Sequence, residues 1–151
     1  MGKNVKVIIE NENMLIDRNV VAKVISAMVH PLRNAIDHGI EIAQERGSKA
    51  IFGRITLAAQ CSADQWILSI KDDGKGVDLD AVCERALDKG LIDAESLAKF
   101  DAQKKLELVL SGEISTAQKI SGISGRGVGV AAYRDAVLNA GGKLELINNP
   151  G

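Results

Sequence analysis

Apolar residues recur in pairs every four positions, Val20/Val21, Val24/Ile25 and Met28/Val29, the period of one face of an α-helix. Asp17 stands just ahead of them as a plausible N-cap. The helix then runs into His30-Pro31-Leu32-Arg33-Asn34-Ala35-Ile36-Asp37-His38-Gly39-Ile40-Glu41. At about 100° per residue, His30, Asn34, Asp37 and His38 share one stripe, while Val29, Leu32, Ala35 and Ile36 fill much of the rest. Pro31 removes one backbone hydrogen bond, which predicts a kink or boundary near His30. Before this helix, residues 5–10 alternate weakly and end in a polar turn, as a short edge strand would. After it, the runs 51–60 and 65–71 flank Cys61-Ser62-Ala63-Asp64 and predict an antiparallel hairpin. Further helices are expected over 79–89, closed by Gly90, within 94–110, and from about 128 to 139, ending at Gly141-Gly142. Residues 143–147 read as a last strand.

Three places in this pattern carry candidate chemistry. The polar stripe is costly to bury unless paired; its asparagine and histidines could hold a metal or its water, with Asp37 and Arg33 adding charge, or it is an ordinary solvated face. The second β run ends in Lys71-Asp72-Asp73-Gly74-Lys75-Gly76. Two glycines one residue apart let the backbone turn tightly and approach a flat ligand, and Asp72 is placed to accept a hydrogen bond from it; the alternative is a plain Asp-Gly turn. Gly125-Arg126-Gly127-Val128-Gly129 opens the late helix, where free amide N–H groups and the helix dipole suit a phosphate; the alternative is a hinge. The small, polar stretch 111–124 ahead of it is long enough for a lid. Neither glycine loop is a Walker A sequence, and a dinucleotide fold would need a strand directly before Gly127.

Composition narrows the field. The 151 residues suit one domain. Aromatic content of 3% and a net charge of -1 argue against base-stacking platforms and phosphate-backbone partners, hence against nucleic acid. Cys61 and Cys83 lack metal-ligand spacing and suit a reducing compartment. With no signal peptide and no apolar run of membrane-spanning length, the expectation is a cytoplasmic chain without membrane insertion.

The order of the three elements resembles the ATPase superfamily of gyrase, the ninety-kilodalton heat-shock chaperone, MutL and histidine kinases. Within it, residues 32–41, 72–76, Ser115-Thr116-Ala117 and 124–129 are similar to the ATP-binding catalytic domain of CheA-like histidine kinases. The resemblance implies a two-layer α/β sandwich with a mixed, mainly antiparallel sheet under helices. It implies ATP and Mg2+ as ligands. Asn34 and His38 would meet the metal and phosphates, helped by Asp37 and His30. Asp72 would accept from the adenine amino group, with Gly74 and Gly76 closing on the ring. Gly125, Arg126, Gly127, Val128 and Gly129 would wrap the phosphates, and Ser115 and Thr116 would belong to the lid.

The glutamate that activates water in hydrolytic relatives is replaced by His30, so the resemblance implies transfer to a histidine on a separate phosphoacceptor domain rather than rapid hydrolysis. His30-Pro31-Leu32-Arg33 is also faintly similar to the phosphoacceptor box of sensor kinases. Proline there cannot assist proton transfer, so His30 is not the phosphorylated residue. Relatives carry a proline a few residues before His30, a Phe where Ile114 stands, and a Gly-Thr-x-Phe strand after the point where this sequence stops. The expectation is therefore one ATP-binding catalytic domain over 1–151, leaving open a fragment without its last strand. Receptor or adaptor partners would act through other domains. The alternative is a non-catalytic ATP-sensing or protein-interaction module of the same fold.

Overall fold

The computed structural model describes residues 2–11, 18–62, 65–111 and 129–149, which form two compact units, 1–76 with 149–151 and 77–148. In the first unit the alternating residues form β1 (Val5–Glu10), and the hairpin forms β2 (Gly53–Ser62) and β3 (Gln65–Asp72). The sheet order is β1-β2-β3. β1 is an edge strand parallel to β2, from Val5 opposite Gly53 to Glu10 opposite Ala58. β2 and β3 are antiparallel, from Ile55 opposite Asp72 to Ser62 opposite Gln65. The sheet is therefore mixed, as expected. β2 starts and ends two residues later than the run 51–60 suggests, and β3 starts as expected but ends one residue later, so that Asp72 is its last residue.

Between β1 and β2 runs α1 (Arg18–Asn34), with Pro31 inside it. No boundary falls at His30. The change comes later: residues Ala35–Gly39 form a π-helical turn, in which Ile40 N–H donates to the Ala35 carbonyl at 2.7 Å. An extra residue in the turn rotates everything after Asn34 away from its α-helical bearing. The polar residues therefore run from α1, which carries His30 and Asn34, into the π turn, which carries Asp37 and His38. Of the four residues expected to fill the apolar side, Ala35 is buried and Leu32 half-buried, while Val29 and Ile36 are exposed; Val24 and Ile40 are buried as well. Ile40 lies directly on Gly53 of β2, anchoring the exit of the π turn to the sheet beside the fully buried Ile55. From the N-terminal side, Lys3 Nζ donates to the carbonyls of Ile36 and Asp37 at 2.8 and 2.7 Å.

The second unit is helical: α2 (Leu79–Asp88), α3 (Ala94–Leu97), α4 (Ala102–Leu110) and α5 (Gly129–Asn139). Each of the first three begins at an aspartate that accepts from a backbone N–H three residues on: Asp78 from Ala81, Asp93 from Ser96 and Asp101 from Lys104. These caps satisfy donors that the first turn would leave orphaned. Val82 and Ala86 are fully buried, with Val77, Ile92, Leu108 and Val109 packed around them. Arg134 of α5 donates to the Leu110 carbonyl at the end of α4. Residues 143–149 form no strand among the described residues, which corrects the expected strand over 143–147. Their alternation in burial is that of extended chain, but their cross-chain pairing is made by a side chain: the Asn148 amide accepts from Val77 N–H at 2.8 Å and donates to Val77 C=O at 2.9 Å. The expected cap at Asp17 and the loop at 111–124, from residue 112 on, lie outside the described residues.

Candidate functional site

The end of β3 meets the end of the π turn. Gly74 N–H donates to Asp72 Oδ1 at 3.0 Å, and Lys75 N–H donates to the Gly39 carbonyl at 3.0 Å. A Cβ on Gly74 would lie 2.3 Å from the Gly39 oxygen and 2.7 Å from Asp72 Oδ1, and one on Gly39 would lie 3.1 Å from Asp72 Oδ1. At Gly74 the obstruction would be backbone, so only glycine lets the two segments come this close, whereas a Cβ on Gly39 would press on the end of the Asp72 side chain. Gly76 then turns the chain with φ +75°. The Asp72 carboxylate is exposed, and among the described residues its Oδ2 has no protein partner. A carboxylate whose inner oxygen is fixed and whose outer oxygen is open is a directed acceptor.

The structure thus joins two of the motifs singled out in the sequence. The Gly39–Gly74 contact brings the end of the polar helix against Asp72 and Gly74. His30 and Asn34 lie in α1, Asp37 and His38 in the π turn, and all four are exposed. Among the described residues no group of three or more His, Cys, Asp and Glu side chains gathers as a metal site. Gly129 opens α5 in the second unit. Ser115, Thr116, Gly125, Arg126, Gly127 and Val128 lie outside the described residues.

Sequence reasoning missed the groups that hold this strand end in place. Asp73 extends the β2–β3 ladder by one step: its N–H donates to Arg54 C=O at 3.2 Å and its Oδ1 accepts from Arg54 N–H at 2.8 Å. Behind it lies Arg46, 3% exposed. Its guanidinium reaches Glu41 Oε2 and Asp73 Oδ2, each at 2.9 Å, and its Nε donates to the Ala50 carbonyl. Nη2 is buried, and its contact with Asp73 is an ion pair rather than an aligned hydrogen bond. Lys49 Nζ pairs with Glu41 Oε1 at 3.1 Å and donates to the carbonyls of Asp73 and Gly74 at 3.2 and 3.0 Å. Burial alone would raise the Glu41 pKa; its backbone hydrogen bond, the Lys49 hydrogen bond and the charges of Lys49 and Arg46 outweigh that and hold it below the usual glutamate range. In the sequence these charges look like a solvated turn. The usable signal was weak: an acid directly after the apolar Ile40, followed by two bases within one short connection.

The chain is similar to the chemotaxis protein CheA of Rhizobium meliloti, 34% identical over 99% of this chain and 20% of that protein. It is also similar to the gliding motility regulatory protein of Myxococcus xanthus, at 34% over 99% of this chain and 20% of that one. Against the sensor histidine kinase CheAY of Helicobacter pylori it is 31% identical over the whole of this chain and 19% of the relative. The chain therefore spans about a fifth of the length of the curated relatives it matches. No helix among the described residues is long and apolar enough to cross a membrane. Over residues 23–151, which include the polar helix, the Asp72 strand end and the glycine loop, the sequence fits a single family model, and the chain belongs to the histidine kinase-, DNA gyrase B- and HSP90-like ATPases.

Proposed function

We propose that the chain is the ATP-binding catalytic domain of a CheA-like two-component histidine kinase, donating the γ-phosphoryl group of ATP to a histidine on a separate domain. The observation that carries this reading is the close approach of Gly74 to Gly39, which sets an exposed, directed carboxylate at Asp72 against the end of the helix bearing Asn34, Asp37 and His38. The family membership supplies the nucleotide, and the similarity to CheA proteins and to a sensor histidine kinase supports the reaction.

The donor set fits adenine at one end. The outer oxygen of Asp72 accepts from the exocyclic amino group, and Gly74 and Gly76 let the backbone close on the ring. At the other end, magnesium demands oxygen ligands. The amide oxygen of Asn34 fits as a ligand of the metal or its water, while the imidazole of His38 suits a phosphate oxygen better than a hard cation. Magnesium supplies charge neutralisation on the triphosphate. In the transfer, an imidazole nitrogen of the acceptor domain attacks the γ-phosphorus, the P–N bond forms as the P–O bond to ADP breaks, and ADP leaves with the electron pair. His30, exposed in α1, stands where hydrolytic relatives place a water-activating glutamate, so ATP is conserved for transfer. Gly125 to Gly129 wrap the phosphates and Ser115 and Thr116 belong to the lid, in the regions that match the family model. Receptor or adaptor proteins act through domains outside these residues, in the cytoplasm, where ATP is available.

The test is incubation of the chain with γ-labelled Mg-ATP and an isolated histidine-bearing domain of a CheA-type kinase. Acid-labile label on that domain is the expected result. Nucleotide binding without label transfer would overturn the kinase reading in favour of an ATP-sensing module, and steady phosphate release without acceptor would overturn it in favour of a hydrolase.

A further inference from the structure

Among the described residues the ionic cluster behind the strand end makes no contact with the Asp72 carboxylate, yet it holds the two carbonyls that follow, those of Asp73 and Gly74. Arg46 and Glu41 are almost wholly buried, with side chains 1% and 11% exposed. A cation and an anion this deeply buried are retained only where each is paired and hydrogen-bonded. Here the pairing is spent on one turn. Arg46 pulls on the Asp73 carboxylate while Arg54 holds its other oxygen and its N–H. Lys49 Nζ spans Glu41 and the consecutive carbonyls of Asp73 and Gly74. Gly74 N–H is thereby aimed at Asp72 Oδ1, and Lys75 N–H at Gly39. Arg46 and Lys49 are matched by Glu41 and Asp73, so the cluster adds no net charge beside the strand end.

We propose that Lys49, seated on Glu41 and backed by Arg46, is a positioning residue for base recognition: its ammonium clamps the carbonyls of Asp73 and Gly74 and so sets the direction in which Asp72 offers its outer oxygen to the 6-amino group of a purine. Its contribution is to selectivity for the base and not to affinity for the triphosphate. Without the ammonium the two carbonyls turn to water, Gly74 N–H loses its aim, and the Asp72 carboxylate becomes a rotor that accepts from solvent as readily as from the ligand. This inference rests on the placing of adenine at Asp72.

The experiment measures binding of ATP and of purine riboside triphosphate, which has hydrogen in place of the 6-amino group, to the wild-type chain, Lys49→Met, Lys49→Gln, Lys49→Arg, Asp72→Asn and the Lys49→Met/Asp72→Asn double variant. A clamp acting through Asp72 predicts that Lys49→Met and Lys49→Gln each weaken ATP by roughly tenfold, the order of one hydrogen bond to a charged group. Both variants should leave the analogue's affinity within about twofold, and Lys49→Arg should recover most of the loss. In the double variant the losses do not add, because both act on one contact. Equal weakening of ATP and the analogue in the folded variants, or full additivity with Asp72→Asn, would overturn the proposal and leave Lys49 a merely structural residue. Two substitutions remove the ammonium, so the result does not depend on either one folding. Wild-type affinities for ATP and the analogue that are already equal would instead defeat the placing of adenine at Asp72.

Discussion

Replacing Gly74 by alanine adds a single carbon at the tightest point of the site. That carbon would lie 2.3 Å from the Gly39 oxygen and 2.4 Å from the Gly39 carbonyl carbon, with ordinary contact beginning at 3.4 Å. The obstruction is backbone, so no side chain can swing away, and the two segments must part by roughly 1 Å to relieve it. The Lys75–Gly39 hydrogen bond, now 3.0 Å, would then stretch beyond useful length and cost about 1 kcal/mol. Forcing one methyl into packed surroundings costs about 1–3 kcal/mol more. A loss of about 2–4 kcal/mol leaves most domains folded. The measurement is urea unfolding of both proteins followed by calorimetric titration with ATP at a temperature where both are folded. The midpoint should fall at unchanged m-value, and ATP affinity should fall with it, since the Asp72 carboxylate is 2.7 Å from the same added carbon. A variant with wild-type midpoint and wild-type ATP affinity would refute the close approach on which the site is built.

Three further outcomes follow from the same geometry. Asn34→Ala should remove most of the magnesium dependence of ATP binding while leaving metal-free binding nearly unchanged; equal affinities with and without magnesium in wild type and variant alike would exclude a metal role for Asn34. Glu41 has its pKa lowered in the folded chain, so its stabilising effect is fully present above the unfolded value of about 4.3 and is lost as pH falls through the lowered folded value. Urea midpoints measured from pH 7 down to pH 3 should therefore drop below about pH 4.3, with a shallower drop in Glu41→Gln; identical pH slopes would contradict the cluster. Asp78→Ala removes the acceptor for Ala81 N–H at the start of α2 and should cost about 0.5–2 kcal/mol in thermal or urea unfolding, without changing ATP affinity more than stability alone requires.

The legible parts of the chain were those where a local rule had nothing competing with it. Residues 5–10 alternate and form β1, and the two β runs pair as a hairpin. The helices after Gly76 were also expected, but the aspartates that cap them, Asp78, Asp93 and Asp101, were found only in the structure. Asp72, Gly74 and Gly76 were readable because a strand ending in Asp-x-Gly-x-Gly has few physical uses. The π turn was not readable: a 3.6-residue period is a statement about averages, and one inserted residue between Asn34 and Gly39 leaves the sequence pattern intact while turning the side chains. Pro31 suggested a break, yet the helix tolerates one missing donor and changes type only at Ala35. Arg46 and Lys49 were not singled out because the burial of their charges depends on Asp73, distant in sequence, as well as on nearby Glu41. The same limit applied to 143–147, whose alternation is real but which forms no strand; beside it the Asn148 side chain bonds to the Val77 backbone.

The central claim is that Asp72 reads the base of ATP, and calorimetric titration of ATP into the wild-type chain and Asp72→Asn side by side tests it most directly. Asparagine keeps the size and the acceptor oxygen but loses the charge, so binding should weaken by about 1.5–3 kcal/mol, roughly 10- to 150-fold, with folding cooperativity unchanged. An identical dissociation constant in the two proteins would contradict the account.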